Sequence, residues 1–129
     1  MDFPDDLKYS RSHEWVRREG GEAVVGVTDY AQEELGDIVY VELPQEWEDV
    51  EKETAFGVVE SVKATEDLYS PVSGKVIEVN TPLDDAPEVM NEDPYGDGWL
   101  IRLKMTDPQE FEELMTAAQY RAYVEAEKA

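Results

Sequence analysis

The sequence predicts a mainly β fold, several short strands in a sandwich or flattened barrel, with short helices and a C-terminal helical segment packed against it. Three observations carry that expectation. Short runs of apolar and β-branched residues recur along the chain, as in Glu22 to Val27 and Asp37 to Leu43, with the composition of half-buried strands. Glycine and proline punctuate them at turn spacing, as in Gly20-Gly21 and Ser70-Pro71-Val72-Ser73-Gly74. Helical spacing of apolar residues is sustained only after Asp107. Strands of this kind stack as a sandwich or flattened barrel, with the helices packed against it.

Taken in order, Pro4 to Tyr9 reads as an extended lead-in, and Ser12 to Arg18, including His13-Glu14-Trp15, alternates as a strand. Gly20-Gly21 turns the chain into a second strand, Glu22 to Val27. Thr28 or Asp29 can cap a short helix, with Gln32 three residues after Asp29, Leu35 facing inward and Gly36 ending it. Asp37 to Leu43 is the clearest strand, stopped by Pro44, and Gln45 to Glu53 is a polar connection. A lysine hairpin follows over about 55–80, with apolar positions at Phe56, Val58, Val59 and Val62, then at Leu68, Tyr69, Val76, Ile77 and Val79. Its connection Lys63-Ala64-Thr65 lacks the Asn-Gly pair of a two-residue turn, which predicts a loop of about three to five residues holding Lys63 out into solvent.

Ser70 to Gly74 then reads as a turn, Lys75 to Val79 as a strand, Thr81 to Gly98 as a long loop and Trp99 to Met105 as one more strand. In the C-terminal segment, over about 107–127, Asp107 reads as a helix cap with Pro108 at the first position and Glu110 closing the box. Phe111, Leu114 and Met115 share one face there. From about Ala117 a second pattern puts Tyr120, Tyr123 and Val124 on an apolar side, as docking faces onto the sheets.

The chain of 129 residues suits one domain, 1–129, able to bury about two-thirds of its unfolded surface. No run approaches the ~18 apolar residues of a membrane span, and Met1-Asp2-Phe3-Pro4-Asp5-Asp6 is unlike a targeting peptide, so a soluble, cytoplasmic protein is expected. The net charge of −21 argues against nucleic acid and anionic membrane as partners. It reads either as a self-repelling solvated surface or as adaptation to a salt-rich, halophilic cytoplasm, where screening removes the repulsion. The second is the expectation carried forward.

With no cysteine, thiolate nucleophiles and thiolate metal sites are excluded. His13 is the only imidazole, and on a strand it points away from Glu14, so adjacency makes no relay; a structural or surface role is expected. Asn91-Glu92-Asp93-Pro94-Tyr95-Gly96 opens like a calcium loop but departs from the ligand pattern at Tyr95 and Arg102. Gly20-Gly21 lacks the helix of a phosphate cradle. No constellation makes a stand-alone catalyst, so the chain reads as a non-enzyme. Lys63 remains, and on geometry alone it is either an ordinary exposed lysine or a modified one.

Glu60-Ser61-Val62-Lys63-Ala64, with Gly74 beyond it, resembles the lipoylation motif of the lipoyl and biotinyl carrier superfamily. Within that group the chain is similar to the H proteins of the glycine cleavage system. The resemblance runs through Ser12-His13-Glu14-Trp15, Gly26 to Gln32, Leu35-Gly36-Asp37, Val41 to Pro44, Tyr69 to Gly74, Asn91 to Gly96 and Gly98-Trp99. Biotin carriers typically flank the lysine with methionine, whereas Val62 and Ala64 stand here.

The resemblance implies a flattened barrel-sandwich hybrid of two antiparallel sheets with short helices and a C-terminal helical segment, and lipoate covalently attached to Lys63. It implies a carrier that shuttles the aminomethyl group of glycine from the PLP-dependent decarboxylase (P protein) to the tetrahydrofolate-dependent aminomethyltransferase (T protein). Reducing equivalents would pass to the flavin-containing dihydrolipoamide dehydrogenase (L protein), and a lipoate-attaching enzyme would be a further partner. Ser12, Glu14 and Asp67 match the cleft that shelters the loaded arm, where Glu14 and Asp67 would suit a cationic amine. Glu60 and Gly74 would help the attaching enzyme recognise the motif, or only set strand packing and a turn. Other clients, a lipoyl relay or a biotinyl carrier, stay open, as does an unmodified acidic binding protein. Glu46-Trp47 and Lys52-Glu53 stand where many relatives carry Pro-Gly and Lys-Gly, so the connection before the hairpin is expected to turn differently.

Overall fold

The computed structural model describes residues 1–128; of the expected 1–129 domain, only Ala129 lies outside the described residues. The chain begins with β1 (Lys8–Tyr9), β2 (Glu14–Glu19) and β3 (Glu22–Val27), then α1 (Asp29–Leu35), β4 (Ile38–Glu42) and β5 (Asp49–Val50). The lysine stretch supplies β6 (Ala55–Ser61), β7 (Thr65–Tyr69) and β8 (Gly74–Val79). After a 3-10 turn (Thr81–Asp84) come α2 (Val89–Glu92), β9 (Ile101–Met105), α3 (Gln109–Glu112) and α4 (Ala117–Lys128).

Two antiparallel sheets result, one in the order β1-β2-β3-β9-β8-β5 and one in the order β4-β6-β7, and they do not close into a barrel. The stretch 55–80 therefore divides. β6 and β7 form the hairpin proper, while β8 crosses to the larger sheet and pairs with β9 and β5. Between the sheets, Val16, Val25 and Leu103 meet Val41, Val59 and Leu68 in one core. A second core lies on the other face of the larger sheet, where Trp15 and Val24 pack against Tyr9, Tyr30, Tyr120 and Val124. With both faces covered, β3 is buried at every position after Glu22, which explains its continuous apolar run. Trp15 lies across Gly26, where a Cβ would come 2.6 Å from the indole ring, so only glycine fits.

The first hairpin, the short helix and its caps agree with the sequence expectation. Thr28, not Asp29, caps α1, its Oγ1 accepting from Ala31 N at 3.1 Å, and Gly36 closes the helix at φ 78°. Four expectations change. His13 precedes β2 in a left-handed conformation, φ 74°, and is not a strand residue. The polar connection contains β5, because Asp49 and Val50 reach Lys75 and Gly74. The loop 81–98 is folded: Pro82 sits in the first turn of the 3-10 segment, Met90 in α2 is fully buried, and Asn80 Nδ2 donates to Asp97 O and Trp99 O, bridging the far end. Glu110 does not close a capping box. Its carboxylate accepts from Ser73 N at 2.7 Å and Ser73 Oγ at 3.0 Å, since this cross-chain pair satisfies two donors beside β8. The box that does form is Thr116 with Gln119, at the head of α4.

Trp47 and Glu53 adopt φ 74° and 65°, the left-handed region that glycine occupies freely. Hydrogen bonds hold both there: Trp47 N donates to Val76 O and Glu53 N to Ser70 O, each at 2.7 Å. The connection thus takes up two left-handed positions without glycine. No helix among the described residues is long and apolar enough to cross a membrane.

Candidate functional site

Lys63 is exposed at the apex of a three-residue tip, Val62 to Ala64, between β6 and β7. The residue that shapes this tip is Ser61, which is buried. Its N donates to Ala64 O at 2.8 Å, and its Oγ accepts from Ala64 N at 3.1 Å and Lys63 N at 3.3 Å. This satisfies the tip's backbone locally and fixes which way Lys63 leaves it. Val62 N donates to Asp37 O at 3.0 Å, tying the tip to the connection between α1 and β4. The lysine stem passes over Gly36, where a Cβ would lie 3.6 Å from Lys63 Cε.

Beside Ala64 opens a cleft of about 390 Å³ whose lining includes Ser12, Glu14 and Asp67. The three come from different places: the approach to β2, the first residue of β2, and β7. Glu14 is almost wholly buried, 2% exposed. Its Oε1 accepts from Ser10 Oγ at 2.9 Å and from Ser12 Oγ, and its Oε2 accepts from Tyr69 N at 3.2 Å. The carboxyl therefore bridges the two sheets. Burial pushes its pKa up to about 7, against the lowering effect of those hydrogen bonds. Asp67 is exposed and pairs with Val58 in the hairpin, and Glu66 lines the same cleft.

The opposite wall holds His13, Tyr30, Glu34 and Glu127. His13 is structural, as expected, but also faces the cleft, and burial lowers its pKa despite the Glu127 carboxylate alongside. Sequence reading missed Ser10, Ser61, Tyr69 and Glu127. A serine two residues before a lysine tip is a usable turn signal, whereas the Tyr69 contact runs through a backbone N–H and leaves no trace in residue type.

Glu60 and Gly74 lie outside this cleft. Glu60 is exposed on β6, opposite Tyr40 and Thr65. Gly74 is buried as the first residue of β8 and is not a turn glycine; a Cβ there would sit 2.5 Å from Lys104 O, so close strand approach is what demands it. A larger cleft of about 460 Å³ adjoins, sharing Ser12 and Tyr69 and flanked by the ion pair Lys52–Glu113. It does not reach the lysine tip, so the smaller cleft is the one that matters to Lys63. Asn91, from the calcium-like stretch, is spent on structure: it accepts from Ile38 N and donates to Gly36 O and Gln32 Oε1.

The family described as "Glycine cleavage H-protein" matches residues 7–127. A glycine cleavage system H protein of Anaeromyxobacter sp. (strain K) is 57% identical over 128 residues, covering 99% of this chain and 100% of the relative. One from Symbiobacterium thermophilum is 52% identical over 120 residues, covering 93% and 94%. The crystal structure of a glycine cleavage system H protein from Mycobacterium marinum superposes with a TM-score of 0.88 at 40% identity, covering 95% of this chain and 99% of that one. With a match over nearly its whole length in sequence and in fold, this chain belongs to the glycine cleavage H-protein family.

Proposed function

We propose that this chain is the lipoyl-bearing carrier of the glycine cleavage system, acting in the cytoplasm and catalysing no step alone. It shuttles the aminomethyl group of glycine from the PLP-dependent decarboxylase to the tetrahydrofolate-dependent aminomethyltransferase, and reducing equivalents to dihydrolipoamide dehydrogenase. The observation that carries this reading is Lys63 itself, exposed on a hydrogen-bonded tip beside a cleft walled by carboxylates.

The residues fit a lipoyl group. An exposed primary amine on an unbranched stem can be acylated, and the amide removes a charge that would resist entering apolar partner sites. When bound, the group supplies the dithiol chemistry that a chain without cysteine lacks. Ser12, Glu14 and Asp67 are the proposed seat for the cationic end of the cargo. Glu14, with its pKa near 7, holds a proton for much of the time near neutral pH when no cation lies beside it. An ammonium entering beside it favours the carboxylate, so seating the cargo is coupled to release of that proton. Ser10 and Ser12 hydroxyls can turn to serve either state. Glu60, exposed three residues before the lysine, is a proposed contact for the attaching enzyme.

Intact mass of the chain from its native host tests the reading. A lipoyl increment localised to Lys63 is expected, a biotinyl increment would change the client, and an unmodified chain from a lipoate-competent cell would overturn the proposal. Reconstituted glycine decarboxylation with the three partners should be lost in Lys63→Arg.

A further inference from the structure

On the carrier reading, one wall of the cleft has no assigned part. It is made by His13, by Tyr30 and Glu34 of α1, and by Glu127 in the last turn of α4. His13 is bound at both ring nitrogens to the same helix: Nδ1 lies 2.8 Å from the Tyr120 hydroxyl and Nε2 lies 3.1 Å from a Glu127 oxygen. Tyr120 and Glu127 stand about two turns apart on α4 and so present one face. The Tyr120 hydroxyl is also 2.8 Å from Thr28 Oγ1, which accepts from Ala31 N.

This chain of bonds closes, with each proton used once, when His13 is neutral and protonated on Nε2. Ala31 N–H donates to Thr28, the Thr28 hydroxyl to Tyr120, the Tyr120 hydroxyl to Nδ1, and Nε2–H to Glu127. His13 takes a left-handed backbone directly before Glu14, a conformation that persists only where the surroundings over-determine it. Its ring is flanked by Tyr30 at 4.9 Å and Tyr123 at 5.7 Å between centroids. The same wall brings Glu34 and Glu127 to a cleft already lined by Glu14, Glu66 and Asp67, so its field favours a cation.

We propose that His13 and Glu127 form a latch seating the last turn of α4 as the side wall of the cleft, which makes them positioning residues that retain the cationic cargo against water. If a lipoyl group on Lys63 carries that cargo, its loss would be hydrolytic: water would break the carbon–sulfur bond, returning the thiol and freeing formaldehyde and ammonium. With the latch open, water reaches the cargo from the α4 side.

Glu127→Ala and Glu127→Gln separate latch from charge, because both remove the carboxylate but only glutamine keeps an acceptor for Nε2–H. Glu127 is partly exposed, so both variants should fold. In the full, unmodified chain, nitrogen NMR of His13 should report the Nε2–H tautomer in the wild type and in Glu127→Gln, and a tautomer mixture in Glu127→Ala. In the lipoylated chain, loaded from glycine and freed of the decarboxylase, formaldehyde should appear about fivefold faster from Glu127→Ala, the factor expected when a two-state closure loses one such hydrogen bond. Glu127→Gln should restore retention. Equal release from wild type and Glu127→Ala after normal loading would overturn the latch alone, as would an Nδ1–H tautomer in the wild type. Failure of the wild type to load at all would strike the carrier reading, and the latch with it.

Discussion

Replacing Glu14 with glutamine should change how the stability of this protein depends on pH. An ordinary glutamate titrates near 4.5, whereas burial moves Glu14 to about 7. Between those values the folded chain holds a proton that the unfolded chain has released. Stability contributed by this site therefore falls as pH rises through that window, and the cost is complete above the upper pKa. At about 1.4 kcal/mol per tenfold change, the ionised form costs on the order of 3 kcal/mol in the folded state. Glu14 is almost fully buried, so solvent screens little of this. Urea unfolding of wild type and Glu14→Gln across pH 4 to 8, in high KCl to quiet the acidic surface, isolates the site. Glutamine can accept from Tyr69 N and donate to the serines that now donate to Glu14, so the fold should survive. The stability of wild type relative to the variant should drop by about 3 kcal/mol from the acid to the alkaline end. Parallel curves would refute the reasoning, and a relative gain with pH would mean that the hydrogen bonds outweigh burial.

Trp47→Gly and Glu53→Gly should each stabilise the fold by about 1 kcal/mol in urea melts, since both relieve a left-handed conformation at exposed side chains; a loss at both would show that side-chain contacts compensate. Gly74→Ala should cost about 1–3 kcal/mol by thermal or urea unfolding, because its Cβ would press on Lys104 O, and its folded fraction should still accept lipoate at Lys63. Added KCl should raise the melting temperature by screening a net charge of −21, and an unchanged Tm would remove the case for a salt-adapted surface.

Much of the fold is legible in local pattern. Valine-rich runs, Gly20 in its turn, Thr28 before a short helix and a serine-led lysine tip each act within a few residues, so the sequence by itself determined the main strands, α1 and the exposure of Lys63. Motif blocks spread along the whole chain made the family recognisable. What only the tertiary structure decided depends on residues distant in sequence. The sandwich divides the lysine stretch between two sheets, buries Glu14 under Tyr69 N, and brings Ser12 and Asp67 to one cleft. Glu127, near the end of an acidic helix, reads as one solvated carboxylate among many until packing of α4 sets it against His13. Glu14 and Asp67 are both acids on strands, yet one is sealed between sheets and the other is exposed. Burial and the donors around a carboxyl set its protonation, and both belong to the packed chain rather than to the residue.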